Sequence, residues 1–279
     1  LYTLLAVSII FSACEEDTPL PAANNNGSSS IYTYVPDDNF EIALINLGLD
    51  NTLNDTVLTE AIDTLGVLNI GNQNISDLTG IEDFTALTVL WCTGNQLTSL
   101  DISANTALNT VYCQDNQLTS LNLSGATALD TLDCENNQLA SLDVSNTALT
   151  YLLCNGNLLT SLDVSQNTAL TRLMCYNNQL TSLDVSNNTA LTHLYCSKNQ
   201  LTSLDVSANT TLIMLFCSDN QLTSLDLRNG NNYDMDLYAG DNTSLYCIDV
   251  DNEAWSNIDF NNNWSIPSQS FYSEDCGVK

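Results

Sequence analysis

Seven cysteines recur at one position of a repeated phrase, Cys92, Cys113, Cys134, Cys154, Cys175, Cys196 and Cys217, 21 residues apart with one step of 20. Around each the chain reads close to TALTxLxCxxNQLTSLDVSxN, as in the stretch from Thr189 to Ser207. Aliphatic columns run in phase with the thiols. Leu87, Leu108, Leu129, Leu149, Leu170, Leu191 and Leu212 form one, and Leu90, Val111, Leu132, Leu152, Leu173, Leu194 and Leu215 form a second. A repeat this short cannot fold alone, because ordering each backbone residue costs about 1–2 kcal/mol and one repeat has too little apolar surface to offset it. Stacking on neighbours buries the columns from both sides and makes the array quasi-one-dimensional.

A period in the twenties with LxxLxC followed by Asn is the signature of an α/β leucine-rich repeat solenoid. The expected fold is a curved right-handed superhelix with a parallel β-sheet on the concave face and mostly coil and short turns on the convex face. LxC is the strand, so alternation turns Leu and Cys inward and the residue between them outward. Parallel neighbours lie about 4.8 Å apart, so seven repeats span roughly 30 Å. Asn95, Asn116, Asn137, Asn157, Asn178, Asn199 and Asn220 follow at the bend. Each is expected to bond backbone groups of its own turn and of the next repeat, which a buried bend requires.

The thiols are read as small hydrophobes filling the interior. Inward side chains in register on parallel strands have parallel Cβ vectors, which suit a disulfide poorly. Zinc is disfavoured because no CxxC occurs. A cysteine nucleophile needs a base, and the single histidine, His193, lies three residues before Cys196 and so on the opposite face of its strand. No metal and no cofactor is expected.

The outward positions carry the functional information. Between Leu and Cys the chain places Trp91, Tyr112, Asp133, Leu153, Met174, Tyr195 and Phe216. Flanking columns add Tyr151, Arg172, His193 and Met214 on one side and Tyr176 on the other, with Asp133 and Glu135 interrupting the stripe. Aromatics, Met and Arg are enriched in interface cores, so the stripe is read as a ligand-binding surface. Strand propensity explains the aromatics alone but not Leu153 and Met174.

The 21-residue repeat with one consensus leucine replaced by cysteine resembles the cysteine-ladder internalins, over residues 65–228. The phrase Ile75-Ser76-Asp77-Leu78-Thr79-Gly80-Ile81-Glu82-Asp83-Phe84 is similar to internalin repeats generally. The resemblance implies a bacterial surface protein that binds a protein ligand through its concave face. Leucine-rich repeats host many binding roles, so the ligand does not follow from the fold.

The N-terminus resembles that of a Gram-negative lipoprotein instead of a Gram-positive internalin. Residues 1–13 form an apolar run too short to span a bilayer, which suits a signal peptide with a truncated start. Phe11-Ser12-Ala13-Cys14 resembles a lipobox, with Cys14 as the lipidated residue. Glu15-Glu16-Asp17 is similar to signals that carry lipoproteins to the outer face of the outer membrane. The Asn/Gly/Ser-rich stretch that follows makes 14–30 a lipid-anchored flexible tether. Residues 31–64 read as a helical N-terminal cap. Asp38 and Glu41 fit a capping box, Phe40, Leu44 and Leu47 share one helical face, and Gly48 ends the helix.

After Arg228 the phrase decays, so 229–279 reads as a C-terminal cap. Cys247 and Cys276 remain outside the ladder, and an exported chain with two such cysteines suggests one disulfide. Trp255, Phe260, Trp264 and Phe271 are expected to build the small core of this cap.

With 33 Asp and Glu against 4 Lys and Arg, a net charge of -29 excludes nucleic acid as a partner. Part of the charge has a repeating address at Asp101, Asp143, Asp163, Asp184, Asp205 and Asp226, with Asn122 in the series. This column reads as a solvated structural ladder, with calcium between repeats as the secondary reading. No P-loop, GxSxG or HExxH occurs, and no enzyme is expected. The expected protein is a monomeric surface lipoprotein, touching the membrane only through its anchor, that binds a protein ligand. The alternatives are a glycan-binding accessory of nutrient uptake, with the aromatics stacked on sugar rings, and a structural envelope spacer.

Overall fold

The structure, a computed structural model, describes residues 31–231, 235–252 and 264–277. The signal peptide, Cys14, the tether, Trp255 and Phe260 lie outside the described residues.

The short LxC segments do form strands, and the strands stack. One parallel ten-stranded sheet contains Val67–Asn69, Val89–Trp91, Thr110–Tyr112, Thr131–Asp133, Tyr151–Leu153, Arg172–Met174, His193–Tyr195, Met214–Phe216, Asp236–Tyr238 and Trp264–Ser265, side by side in chain order. The aliphatic residue at the centre of these strands and the cysteine that follows are buried, while the residues on either side point out. All seven ladder cysteines are free and fully buried. They are packing residues, as the strand period requires.

The sheet continues past residue 228, into the segment read as the C-terminal cap. Asp236–Tyr238 pairs in register with Met214–Phe216, and Trp264–Ser265 pairs with Asp236–Tyr238. Leu237 and Ala239 take the places of the inward Leu and Cys. A second set of short strands is built from the SLD segments. Ser203–Asp205, Ser224–Asp226, Cys247–Asp249 and Phe271–Ser273 make one four-stranded sheet, and Ser99–Asp101 pairs with Ser120–Asn122. The intervening segments 141–143, 161–163 and 182–184 run as coil, around the one repeat that is shorter by a residue. The side expected to be mostly coil is therefore partly sheet.

Each bend is tied by an amide, and the direction of that tie differs from expectation. Asn116 Nδ2 donates to the Cys92 carbonyl at 3.0 Å and the Cys113 carbonyl at 3.1 Å, while its Oδ1 accepts from Leu97 N at 3.1 Å. The bonds therefore reach back to the preceding repeat. Asn137, Asn157, Asn178, Asn199 and Asn220 repeat the pattern, and Asn242 extends it. A second amide column, Asn105, Asn167, Asn188 and Asn209, donates in the same backward sense to carbonyls such as Ile81, Val144, Val164 and Val185. Just before each bend Asn of the first column stands a residue with positive φ. These residues are Gly94, Asp115, Asn136, Gly156, Asn177, Lys198, Asp219 and Asp241.

The acidic column is structural. In Asp101, Asp143, Asp163, Asp184 and Asp205 the carboxylate accepts the backbone N–H of the Ser two residues on, at 2.8–2.9 Å. The hydroxyl and then the backbone N–H of the same serines hold Asp101, Asp163 and Asp184 below the ordinary carboxylate value, and the Ser145 N–H and then its hydroxyl do so for Asp143. Asn122 stays in the row by donating to Asp101 Oδ2.

At the N-terminal end the helix is Asp38–Asn46, and its N-cap is Asp37, not Asp38. Asp37 Oδ1 accepts from Phe40 N, and Oδ2 accepts from Ser76 N, Ser76 Oγ and Asp77 N, so one carboxylate joins the cap to the first repeat. Burial pushes this carboxyl up, but the bonds from Ser76, Phe40 and Asp77 outweigh it and hold it low. Glu41 is buried and serves no capping box. It accepts the backbone N–H groups of Asn54, Asp55 and Thr56. Phe40 and Leu44 face the core and Phe40 meets Phe84, but Leu47 is the C-cap and is exposed. Gly48 ends the helix with φ +75, which Gly adopts without a Cβ clash.

At the other end Cys247 and Cys276 form a disulfide with Cα atoms 5.8 Å apart. Trp264 packs on the core, donates its indole N–H to Met235 O at 2.7 Å, and meets Tyr272 edge to face. Phe271 is 47% exposed, so Tyr272 and not Phe271 supplies the inward ring of that strand.

Candidate functional site

Parallel pairing in register converts the outward residues into columns on one face. Trp91 pairs with Tyr112, Tyr112 with Asp133, Asp133 with Leu153, Leu153 with Met174, Met174 with Tyr195, and Tyr195 with Phe216. The flanking column runs Tyr151, Arg172, His193 and Met214 in the same way. The residue after the buried Cys175 is Tyr176, 37% exposed at the edge of the stripe. All ten residues expected to bind ligand thus belong to one face of the ten-stranded sheet or its rim.

The face divides into two aromatic patches. At the N-terminal end Trp91, 41% exposed, and Tyr112 meet edge to face with centroids 5.7 Å apart. At the C-terminal end His193, Tyr195, Phe216 and Tyr238 form a row of near-parallel rings, with successive centroids at 6.3, 4.9 and 4.2 Å. Tyr238 is the residue that sequence reasoning misses. Its signal was present in Leu237, Ala239 and Asn242, which keep the LxCxxN spacing with Ala for Cys.

Polar groups fix this row. Tyr195 Oη donates to the Met214 sulfur at 2.9 Å, and Thr192 Oγ1 lies 2.9 Å from His193 Nδ1. Burial and the Arg172 charge push His193 below its ordinary value, which leaves the ring neutral at pH 7. The Arg172 guanidinium sits 5.7 Å above the Tyr151 ring, a cation–π contact. Cys196 is sealed in the core while His193 faces out, so the two form no nucleophile–base pair.

Between the patches lies an acidic break. Asp133 is only 7% exposed, and its Oδ1 accepts from Glu135 N at 3.2 Å. Burial first, then the Glu135 and Asp115 charges, push its carboxyl up to about 6. Glu135 in turn accepts from Asn155 Nδ2 at 2.9 Å. Among the described residues no group of three or more His, Cys, Asp and Glu is placed to hold a metal ion.

Two clefts open on this face. One, of about 310 Å³, is lined by Trp91, Tyr112, Asn69, Asn72, Thr93, Gln114 and Gly71. The other, of about 360 Å³, is lined by Tyr176, Asn177, Tyr195, Ser197, Lys198 and Phe216.

Comparison with known proteins places this geometry. A family model of the leucine-rich repeat domain of endo-beta-N-acetylglucosaminidase EndoS matches residues 56–167, and a model of leucine-rich repeats in two copies matches residues 168–209. The chain is 45% identical over 78 residues to internalin J of Listeria monocytogenes serotype 4b (strain F2365). It superposes on the functional domain of InlJ from Listeria monocytogenes, a structure described as including a cysteine ladder, with a TM-score of 0.69 and 37% identity. The chain is an internalin-like leucine-rich repeat protein.

That structural match covers 86% of this chain and 60% of the InlJ domain, and the sequence match covers 28% of this chain and 8% of internalin J. An internalin C2 from Listeria monocytogenes str. 4b F2365 matches with a TM-score of 0.61 at 21% identity, over 80% of this chain and 100% of that one, which shows the fold alone. The internalin-like chain has seven buried ladder cysteines, and the InlJ structure is described as including a cysteine ladder.

Proposed function

We propose that the protein is a cell-surface lipoprotein, anchored through Cys14, that binds a protein ligand with the outward face of its ten-stranded sheet in an adhesin-like role. The observation that carries this reading is the in-register run of aromatic and aliphatic side chains on a face where the core imposes no such choice. An exposed apolar surface of that extent costs solubility unless it is covered by a partner, and rigid aromatics, Met and Arg are the types that anchor protein interfaces. The internalin-like fold, a family of surface-associated binding proteins, supports the same role.

Spreading a glycan over the C-terminal row is disfavoured by one geometric fact. Tyr195, Phe216 and Tyr238 turn their faces to one another, with interplanar angles of 15° and 8°, so the interior faces of the row are closed to sugar rings.

The test compares wild type with a Trp91→Ser, Tyr195→Ser, Phe216→Ser variant against immobilised matrix proteins and host-cell surface proteins. The reading expects at least one protein ligand to be retained by wild type and lost by the variant. Equal retention on every ligand sinks it. For location, added protease is expected to remove the protein from intact cells, and protection until the outer membrane is opened would overturn surface exposure.

A further inference from the structure

The chain carries 4 Lys and Arg against 33 Asp and Glu, so each cation has many acids to choose from. Arg228 takes Asp226 and Asp249, and Arg172 sits over Tyr151. Lys198 does neither. It is exposed, and its ammonium has no ion pair or hydrogen bond among the described residues. Its backbone is also out of place. Among the described residues, every other non-glycine residue with positive φ is Asn or Asp, while Lys198 holds φ +56. Asn and Asp tolerate this left-handed region through local side-chain hydrogen bonds, and an unbranched Lys has no such compensation. An unpaired cation on a costly backbone conformation is the pattern of a residue kept for function.

Lys198 stands at the cleft of about 360 Å³ between Tyr176 and the Tyr195–Phe216 pair. The rings there are arranged for an anion. Tyr195 and Phe216 stack on each other at 4.9 Å, which closes the faces between them and leaves their rims, the positive part of the ring quadrupole, open. Tyr176 makes no ring contact among the described residues, which leaves its face open to the C–H face of a pyranose. Asn177 and Ser197 line the same cleft with an amide and a hydroxyl, the groups that read sugar hydroxyls. We propose that this cleft binds a carboxylated sugar ring of the hexuronate or sialic acid class, with the carboxylate on the Lys198 ammonium and the ring against Tyr176.

An acidic peptide side chain would satisfy Lys198 but would leave the amide, the hydroxyl and the Tyr176 face unused, so the sugar is the better fit. The charges of Glu135 and Asp133 reach Tyr176 and oppose an anion there, so the carboxylate belongs on Lys198 and the uncharged ring face on Tyr176, while charges beyond about 8 Å are largely screened at physiological salt. The cleft shares Tyr176, Tyr195 and Phe216 with the face proposed to bind protein, and Lys198, which that reading does not use, tells the two apart.

Calorimetric titration of the full chain with digalacturonate, 3′-sialyllactose, lactose and tetraglutamate tests it. At least one acidic sugar is expected to bind, with lactose weaker by about tenfold or more, as for loss of a charge-assisted hydrogen bond. Lys198→Asn should lose that binding by a similar factor while its thermal midpoint stays level or rises, because Asn suits the left-handed position. Lys198→Arg should retain binding. Several outcomes overturn the assignment: binding of neither acidic sugar, equal binding of lactose, full binding by Lys198→Asn, or a lowered midpoint in that variant. Tighter binding of tetraglutamate than of either sugar would overturn it in favour of an acidic protein segment.

Discussion

Asn199 donates its side-chain amide to the carbonyl of Cys175, one repeat earlier in the chain, at 3.0 Å. The same amide closes its own bend on Cys196 O, and its Oδ1 accepts Leu180 N at 2.9 Å. One side chain therefore satisfies three backbone groups that no water reaches. Asn199→Leu keeps the volume and removes all three bonds. Leaving buried backbone groups unpaired costs about 1–3 kcal/mol each without simple additivity, so we expect a loss of about 2–4 kcal/mol in a urea titration. A loss below about 1 kcal/mol would show that the ladder is ornamental.

The buried thiols predict alkaline weakening. Burial raises Cys92, Cys175 and Cys217 from 9.0 to about 12. Between those values the unfolded chain releases protons that the folded chain keeps, so stability is full below pH 9 and falls as pH rises toward 12. The expected slope is about 1.4 kcal/mol per pH unit for each thiol. Cys175→Val should make the fall shallower, and an unchanged slope in that variant would remove thiol burial as its cause.

Asp133 has the same sign and the same leading cause, burial, at a lower pH. Its folded value, about 6, lies above the ordinary 3.8, so the stability it contributes is present below about pH 4 and is lost as pH rises through 6. Asp133→Asn keeps an oxygen to accept Glu135 N and removes the buried charge. The variant should be more stable than wild type by about 1–3 kcal/mol at pH 7 and no more stable at pH 4. Thermal unfolding at the two pH values checks this, and an equal gain at both would refute the titration as its source.

Gly125 is required by close approach. A Cβ built there would lie 1.8 Å from Ser103 O, a backbone atom that cannot rotate away. Gly125→Ala should destabilise by about 1–3 kcal/mol or more, as overpacking does. The control is Ala104→Gly, at the equivalent position one repeat earlier, which should show no such relief of strain. Equal midpoints for wild type and Gly125→Ala would refute the contact.

Much of this was legible in the sequence, and the exceptions have causes. The inward columns, the bend Asn and the outward stripe from Trp91 to Phe216 follow from counting, because alternation along a strand is a local property. Tyr238 escapes the count because Ala239 replaces the cysteine. The second amide column escapes because Ala126 and Thr147 replace Asn at the two places between Asn105 and Asn167. The helix cap shifts from Asp38 to Asp37 because Ser76 and Asp77, far along the chain, claim the second oxygen of Asp37.

By itself the sequence determined the repeat, which side chains face in, and that the thiols are core. Only the tertiary structure decided that Tyr195, Phe216 and Tyr238 close their faces on one another, that Asp133 is buried between two patches, and that Lys198 makes no ion pair among the described residues. The physical reason is distance along the chain. In or out is set by neighbours one residue away, whereas what an outward side chain touches is set by the repeat stacked beside it, about 21 residues away.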